Sequence, residues 1–386
     1  MGISFAPSQR STVGIEWELA LVDADSGDLR QVAETIIANL EATNSARLGS
    51  VHHELLLNTI EVVSGVCRTV PEAGRDLRAT VEALAPVLEP LRVELMSAGT
   101  HPFARSAYQR VTNRQRYATL IDRTQWWGRQ MVIFGVHVHV GVENHAKVLP
   151  ILRALLTYLP HLQSLAASSP FWAGDDTGYA SNRALLFQQL PTAGLPPVFD
   201  HWAEFEQYVA DMVKTGVIDS FKDSRWDIRP APHLGTIELR VFDGLSNLAD
   251  VLAVAALAHC LVEHFSTELD EGRELPAMPQ WFLEENKWRS ARYGMEAIII
   301  RNAAGEEELV TEALRKLIVT LAPVADRLRC SAELAGVARM IDEGVSYQRQ
   351  RAVARANNGS LHAVVAHLVA EMAAGGPLPP SSPRRG

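Results

Sequence analysis

The 386-residue chain is poor in the features that mark specialised classes of protein. It has three cysteines, Cys67, Cys260 and Cys330. Their odd number and wide spacing fit reduced, buried thiols better than a disulfide framework or a zinc cage. Basic stripes are missing too. With 36 Lys and Arg against 45 Asp and Glu, the formal charge is −9, so cations rather than a nucleic-acid backbone are the expected partners. The longest apolar run, Val251 to Ala258, falls far below the ~20 residues of a bilayer span, and no membrane segment is expected. Met1 to Ser11 lacks the basic and then apolar pattern of a secretory signal, which makes the cytoplasm the default compartment. No G-x-x-x-x-G-K-[ST], G-x-G-x-x-G, H-E-x-x-H or G-x-S-x-G motif occurs. Any nucleotide used must therefore be held by metal ions and arginines.

What is present is ordinary globular material, 47% hydrophobic and long enough for one or two substantial cores. The Pro/Gly/Ser-rich stretch from Ala373 to Gly386 is expected to be a disordered tail and residues 1–10 a flexible N-terminus, leaving a single catalytic domain over 11–372. Helical period runs over Val70 to Ala98, Lys147 to Ser168, Leu248 to Leu269 and Thr311 to Asp326. Strand patterns occupy Val13 to Val22, Thr59 to Val63, Val132 to Val142 and Thr236 to Phe242. Their irregular order and strict alternation predict an α+β fold with a mostly antiparallel sheet.

Residues two apart share a face of a strand. In GIEWELALV, Glu16 and Glu18 lie opposite Ile15, Trp17 and Leu19. In FGVHVHVGV, His137 and His139 lie opposite three valines; in GTIELRVFD, Glu238 and Arg240 lie opposite Ile237, Leu239 and Val241. Glu61 stands between Ile60 and Val62. A merely solvated face would carry scattered Lys, Thr, Ser and Gln. Two carboxylates about 4 Å apart repel by roughly 4 kcal/mol at an effective dielectric near 20, so such a cluster requires cations. Carboxylates with an imidazole suit Mg²⁺ or Mn²⁺, whose usual work is phosphoryl transfer. A rival reading takes His137, His139 and Glu143 as the H-x-H-x-x-x-E start of a cupin metal site, an oxygenase or hydrolase centre, although the glycine expected six residues earlier falls at Met131.

GIEWE, the acid pair in HHELLLNTIEVVSGVCR, GTHPF, FGVHVHVG, ASSPFWAGDDTGYASNR, SFKDSRWDIRPAPHLGTIELRVFD and ARYGMEAII together resemble the bacterial carboxylate-amine ligases of the glutamate-cysteine ligase type 2, or YbdK-like, group. The resemblance spans about Thr12 to Asn358. It implies the glutamine synthetase/guanido kinase fold, a curved antiparallel sheet backed on its convex face by helices, with ATP and two or three Mg²⁺ on the concave face. It further implies an ATP-dependent ligase that makes an amide through an acyl phosphate, with glutamate and cysteine as default substrates, acting as a homodimer. Carried over by position, the implied metal ligands are Glu16, Glu18, Glu54, Glu61, His137 and Glu238, with Glu54 also catalytic. His139 and Arg229 are implied contacts of ATP, and Arg240 a contact of the phosphoryl group in flight. Glu54 and Glu61 are seven residues apart, which would put them on opposite faces of a regular strand, so Glu54 is expected on a turn or bulge. Arg183 is expected to be structural. Guanidino kinases and ligases of protein side chains share the fold, and a catalytically silent nucleotide binder is a further alternative.

Overall fold

A computed structural model describes residues 3–42 and 50–380. Seven strands form one antiparallel sheet: β1 (Val13–Asp23), β2 (Val51–His53), β3 (Thr59–Val63), β4 (Val93–Met96), β5 (Gly135–Gly141), β6 (Ile228–Ala231) and β7 (Thr236–Asp243). The order across it is β6-β7-β5-β1-β3-β2, with β4 pairing the far half of β1. Among the described residues twelve α-helices accompany it: α1 (Ala33–Ala42), α2 (Val70–Leu88), α3 (Gln115–Arg129), α4 (His145–Ala166), α5 (Asn182–Phe187), α6 (Trp202–Lys214), α7 (Leu248–Asp270), α8 (Gln280–Tyr293), α9 (Val310–Leu328), α10 (Ser331–Glu343), α11 (Ser346–Ala356) and α12 (Leu361–Ala374).

The alternation read along the strands is the alternation of the sheet. Ile15, Trp17, Leu19, Ile60, Val62, Val136, Val138, Val140, Ile237 and Leu239 are buried in one core, where α2, α4 and α7 cover them. At the centre, the Trp17 indole donates to Ser97 Oγ at 3.1 Å, so the largest core side chain is also polar-satisfied. Helix starts follow local chemistry. Thr69 caps α2, Asn144 caps α4 and Asn247 caps α7, each accepting from a backbone N–H of the first turn. Among the described residues α7 alone is long and apolar enough to cross a membrane, yet 78% of that stretch is buried inside the protein, against β5, α4, α9 and α10.

The α+β architecture with an antiparallel sheet is as expected, and three local readings need correction. The helix from Val70 stops at Leu88 instead of Ala98: a 3₁₀ turn over Glu89–Leu91 contains Pro90, Arg92 turns back at φ 51°, and Val93–Met96 becomes β4. The N-terminus is tied down over residues 3–10. Ala6 donates to Pro232 O, Ser8 to Val142 O, and Arg10 pairs with Glu263 at 2.9 Å and with Asp270 at 2.6 Å. Order likewise continues past Ala373: Gly375 caps α12 in a left-handed conformation, and Leu378 N donates to Glu371 at 3.1 Å. The remainder of the expected tail, 381–386, lies outside the described residues. All three cysteines are free and buried, and Cys260 and Cys330 are neighbours with Sγ atoms 3.7 Å apart.

Candidate active site

Strand register, not sequence proximity, assembles the polar face. Glu16 stands directly opposite His137, and Glu18 opposite Glu61. One strand further on, His139 stands opposite Glu238, and Glu238 opposite Arg229. The register slips between Leu239 and Phe242. The resulting bulge lies opposite His137 and carries Arg240, a usual way of re-aiming a side chain beside a site.

The groups are close. His137 Nδ1 is 2.8 Å from Glu16 Oε2, and its Nε2 is 3.9 Å from Glu18 Oε1. His139 Nε2 is 3.2 Å from Glu16 and 3.9 Å from Glu238, while its Nδ1 meets Thr236 Oγ1 at 3.0 Å. Glu238, 2% exposed, takes Arg229 Nε at 2.6 Å on one oxygen and Arg240 on the other. Two sets of three ligand atoms fall within 4.8 Å of one another: Glu16, His137 and Glu238, and Glu18, Glu61 and His137. His137 belongs to both. A cavity of about 850 Å³ opens over this floor, lined by Glu16, Glu18, Glu54, Glu61, His137, Arg183, Arg229 and Arg240. His139 and Glu238 are buried and do not line it. Glu54 sits in the connection between β2 and β3, off the regular strand as expected, and joins the cavity without entering either set of three.

The electrostatics divide the acids. Burial, and then the neighbouring Glu54, pushes the Glu18 carboxyl up to about 8. Burial with Glu54, Glu16 and Glu18 raises Glu61 well above the usual range, and burial raises Glu54. Burial works against Glu16 as well, but hydrogen bonds from His137 and His139 outweigh it and hold the carboxyl well below its ordinary value. Glu238 is also held low, Arg240 and Arg229 outweighing burial. Burial, helped by Arg240, keeps His137 neutral with its pKa down at about 4, the form that ligates metal. Glu18, Glu54 and Glu61 are therefore acids crowded together, and among the described residues none of them forms an ion pair with a lysine or arginine. All-oxygen donors with one neutral imidazole fit Mg²⁺ or Mn²⁺.

The cupin alternative fails on geometry. Glu143 forms an ion pair with Lys147 Nζ at 2.6 Å and lies 3.7 Å from Arg10, and it is absent from both ligand sets among the described residues. Sequence reasoning also missed part of the wall. Arg114, Arg116 and Tyr117 at the start of α3 line the cavity, as do Lys222 and Arg225 before β6. The basic residues in SFKDSRWDIRP were a usable signal for the second pair; nothing in the sequence marks the first.

Comparison with known proteins agrees with this architecture. The model of glutamate-cysteine ligase family 2 matches residues 12–367. A protein of Arthrobacter sp. (strain FB24) named "Putative glutamate--cysteine ligase 2-1" is 55% identical over 377 residues, covering 96% of this chain and 98% of that one. A protein of the same name from Mycobacterium sp. (strain JLS) is 55% identical over 370 residues, with 96% and 97% covered. Among solved structures, glutamate–cysteine ligase from Francisella tularensis in complex with AMP superposes with TM-score 0.67 at 12% identity, covering 95% of this chain and 90% of that one. The ligase PafA, solved in complex with the prokaryotic ubiquitin-like protein Pup, gives 0.52 at 13% identity, covering 92% and 72%. Likenesses this distant bear on fold alone. Fold, site and relatives together define a carboxylate–amine ligase, of a class that uses ATP. The chain belongs to glutamate-cysteine ligase family 2.

Proposed function

We propose that this ligase joins L-glutamate to L-cysteine in a Mg²⁺-dependent reaction that converts ATP to ADP and phosphate. The γ-phosphoryl group passes to an oxygen of the glutamate side-chain carboxylate. The cysteine amine then attacks that acyl carbon, phosphate leaves, and the ammonium proton is lost. The observation that carries the reading is the pair of acid–imidazole sets sharing His137 beside Arg229 and Arg240. Glu16, Glu18, Glu61, His137 and Glu238 would hold the ions, with Glu54 completing the acidic wall. Mg²⁺, or Mn²⁺ in its place, supplies positive charge that neutralises the phosphate oxygens as the bond breaks. The chain's own part is orientation. Glu238 fixes two guanidinium groups, which can pair with a planar phosphoryl group through parallel donors. His139, anchored on Thr236 through Nδ1 and facing Glu16 through Nε2 at 3.2 Å, would present its imidazole edge beside the ATP phosphates.

Residues 11–372 would act as one catalytic unit in the cytoplasm, where buried free thiols persist. A homodimer is supported by the exposed Trp281, Trp288 and Tyr293 of α8 and the nearby Ile298. The test is Mg²⁺-dependent ADP formation with acids and amines supplied in pairs. Stimulation only when glutamate and cysteine are both present supports the proposal. ATP binding without turnover for any pair would identify a silent member instead.

A further inference from the structure

Arg183 is the unexplained charge of the cavity. It is 4% exposed, yet among the described residues no carboxylate forms an ion pair with it. Nη1 donates to Arg240 O at a long 3.3 Å, and Nε has no partner at all. Asp243 and Glu18 attract it from beyond ion-pair distance, and donors of a buried guanidinium left unpaired in this way are costly unless an anion meets them. The neighbouring arginines differ, since Arg229 and Arg240 both rest on Glu238.

The surroundings hold Arg183 firmly in this state. Asp243 accepts from Ser169 Oγ at 2.6 Å, Ser181 Oγ at 2.8 Å and Ser168 N at 3.0 Å. Ser181 caps α5, and Ser169 Oγ accepts from Arg183 N at 3.1 Å, so the buried acid pins the helix that carries the arginine. Across from it, a Cβ on Gly135 would lie 2.3 Å from Arg183 Nη2, so any side chain there would have to displace the guanidinium from this position. The ASSP, YASNR and FGV motifs thus converge on one side chain. On its other side the guanidinium lies 5.5 Å from the Phe187 ring centroid, and Phe187 packs with Met131 and Leu190 in an apolar wall of the same cavity. Methylene groups suit that wall, and a triphosphate does not.

We propose that Arg183 is a specificity-determining residue that binds the carboxylate of the acid substrate that does not react, with Met131, Phe187 and Leu190 flanking the methylenes between the two carboxylates. This rests on the proposed ligase reading. The probe is 4-aminobutyrate, which keeps the reacting carboxylate of glutamate and lacks the other. The wild-type enzyme should prefer glutamate by about tenfold or more in kcat/KM, as loss of a charge-assisted pair predicts. In Arg183→Gln that preference should collapse, with the KM for ATP changed less than about twofold, and Arg183→Lys should fall between. Equal losses for both acids, or a raised KM for ATP, would overturn the proposal and make Arg183 a phosphate or scaffold group. If Arg183→Gln does not fold, calorimetric binding of the two acids to the wild-type protein decides: a glutamate preference supports the assignment, and equal binding or none overturns it. Should no amine support turnover while glutamate still binds in preference, the ligase reading fails and the Arg183 assignment stands.

Discussion

Glu238 Oε2 lies 2.6 Å from Arg229 Nε, and Glu238 Oε1 accepts from Arg240, so one buried carboxylate sets the direction of two guanidinium groups. Removing it leaves two buried cations facing each other. Glu238→Ala should destabilise the protein by about 3–5 kcal/mol, the usual cost of breaking a buried pair from one side. Glu238→Gln keeps the shape and should fold, but with the arginines misdirected its rate of ADP formation should drop by at least ~10³-fold. Chemical denaturation and a coupled ADP assay separate the two effects. A Glu238→Gln enzyme with near-normal turnover would remove Glu238 from the machinery.

His137 contributes to both sets of ligand atoms, whereas His139 contributes to neither. Mn²⁺ titration followed by electron paramagnetic resonance should therefore distinguish them. His137→Asn is expected to weaken ion binding about 10–100-fold at both positions, and His139→Asn to leave binding nearly intact while raising the KM for ATP. Equal losses in the two variants would contradict the division of roles.

Burial on one side of a sheet imposes a period of two, and this made the four functional strands legible from residues such as Ile15, Trp17, Val136 and Val138. Glu16, Glu61, His137 and Glu238 could be nominated on the same ground. Their pairing could not, because Glu16 opposite His137 and His139 opposite Glu238 depend on the strand order β7-β5-β1, which no local pattern encodes. Arg183 was harder still. It sits on a helix of six residues, too short for any periodicity, and the lack of a hydrogen-bond partner for its buried Nε is a tertiary property. The Val70 helix was overextended because the apolar spacing continues through Leu91, and the left-handed turn at Arg92 has no glycine to announce it.

Gly135 gives a test of packing. Its missing side chain makes room for Arg183 Nη2, and its N–H donates to Glu18. Gly135→Ala should force the guanidinium aside at a cost of about 1–3 kcal/mol, read as a lower Tm. The same variant should lose selectivity for glutamate over 4-aminobutyrate. An unchanged Tm would mean that the arginine moves freely, contrary to the close fit described.

The crowded acids make stability depend on pH in a direction opposite to most surface carboxylates. Burial and acidic neighbours push the Glu18 carboxyl up to about 8 in the folded protein from an ordinary 4.5, and raise Glu61 as well. A carboxyl whose folded value lies above its unfolded one binds its proton better in the native state. Its contribution is full below about 4.5 and is lost as the pH climbs through the folded value. The metal-free protein should accordingly lose stability between pH 5 and pH 8, by at most about 1.4 kcal/mol per pH unit for each such group. Glu16 and Glu238, held low by their partners, act in the reverse sense: their contribution is present above the unfolded value and is lost only as the pH falls below it, outside this window. Mg²⁺ or Mn²⁺ takes the place of the proton, so the Tm increase on adding either ion should be small at pH 5 and large at pH 8. Thermal denaturation in chelator and in excess Mg²⁺ across that range measures both curves. A chelated protein whose Tm is flat or rises toward pH 8, or an ion effect independent of pH, would show that Glu18 and Glu61 are not the groups that receive the metal.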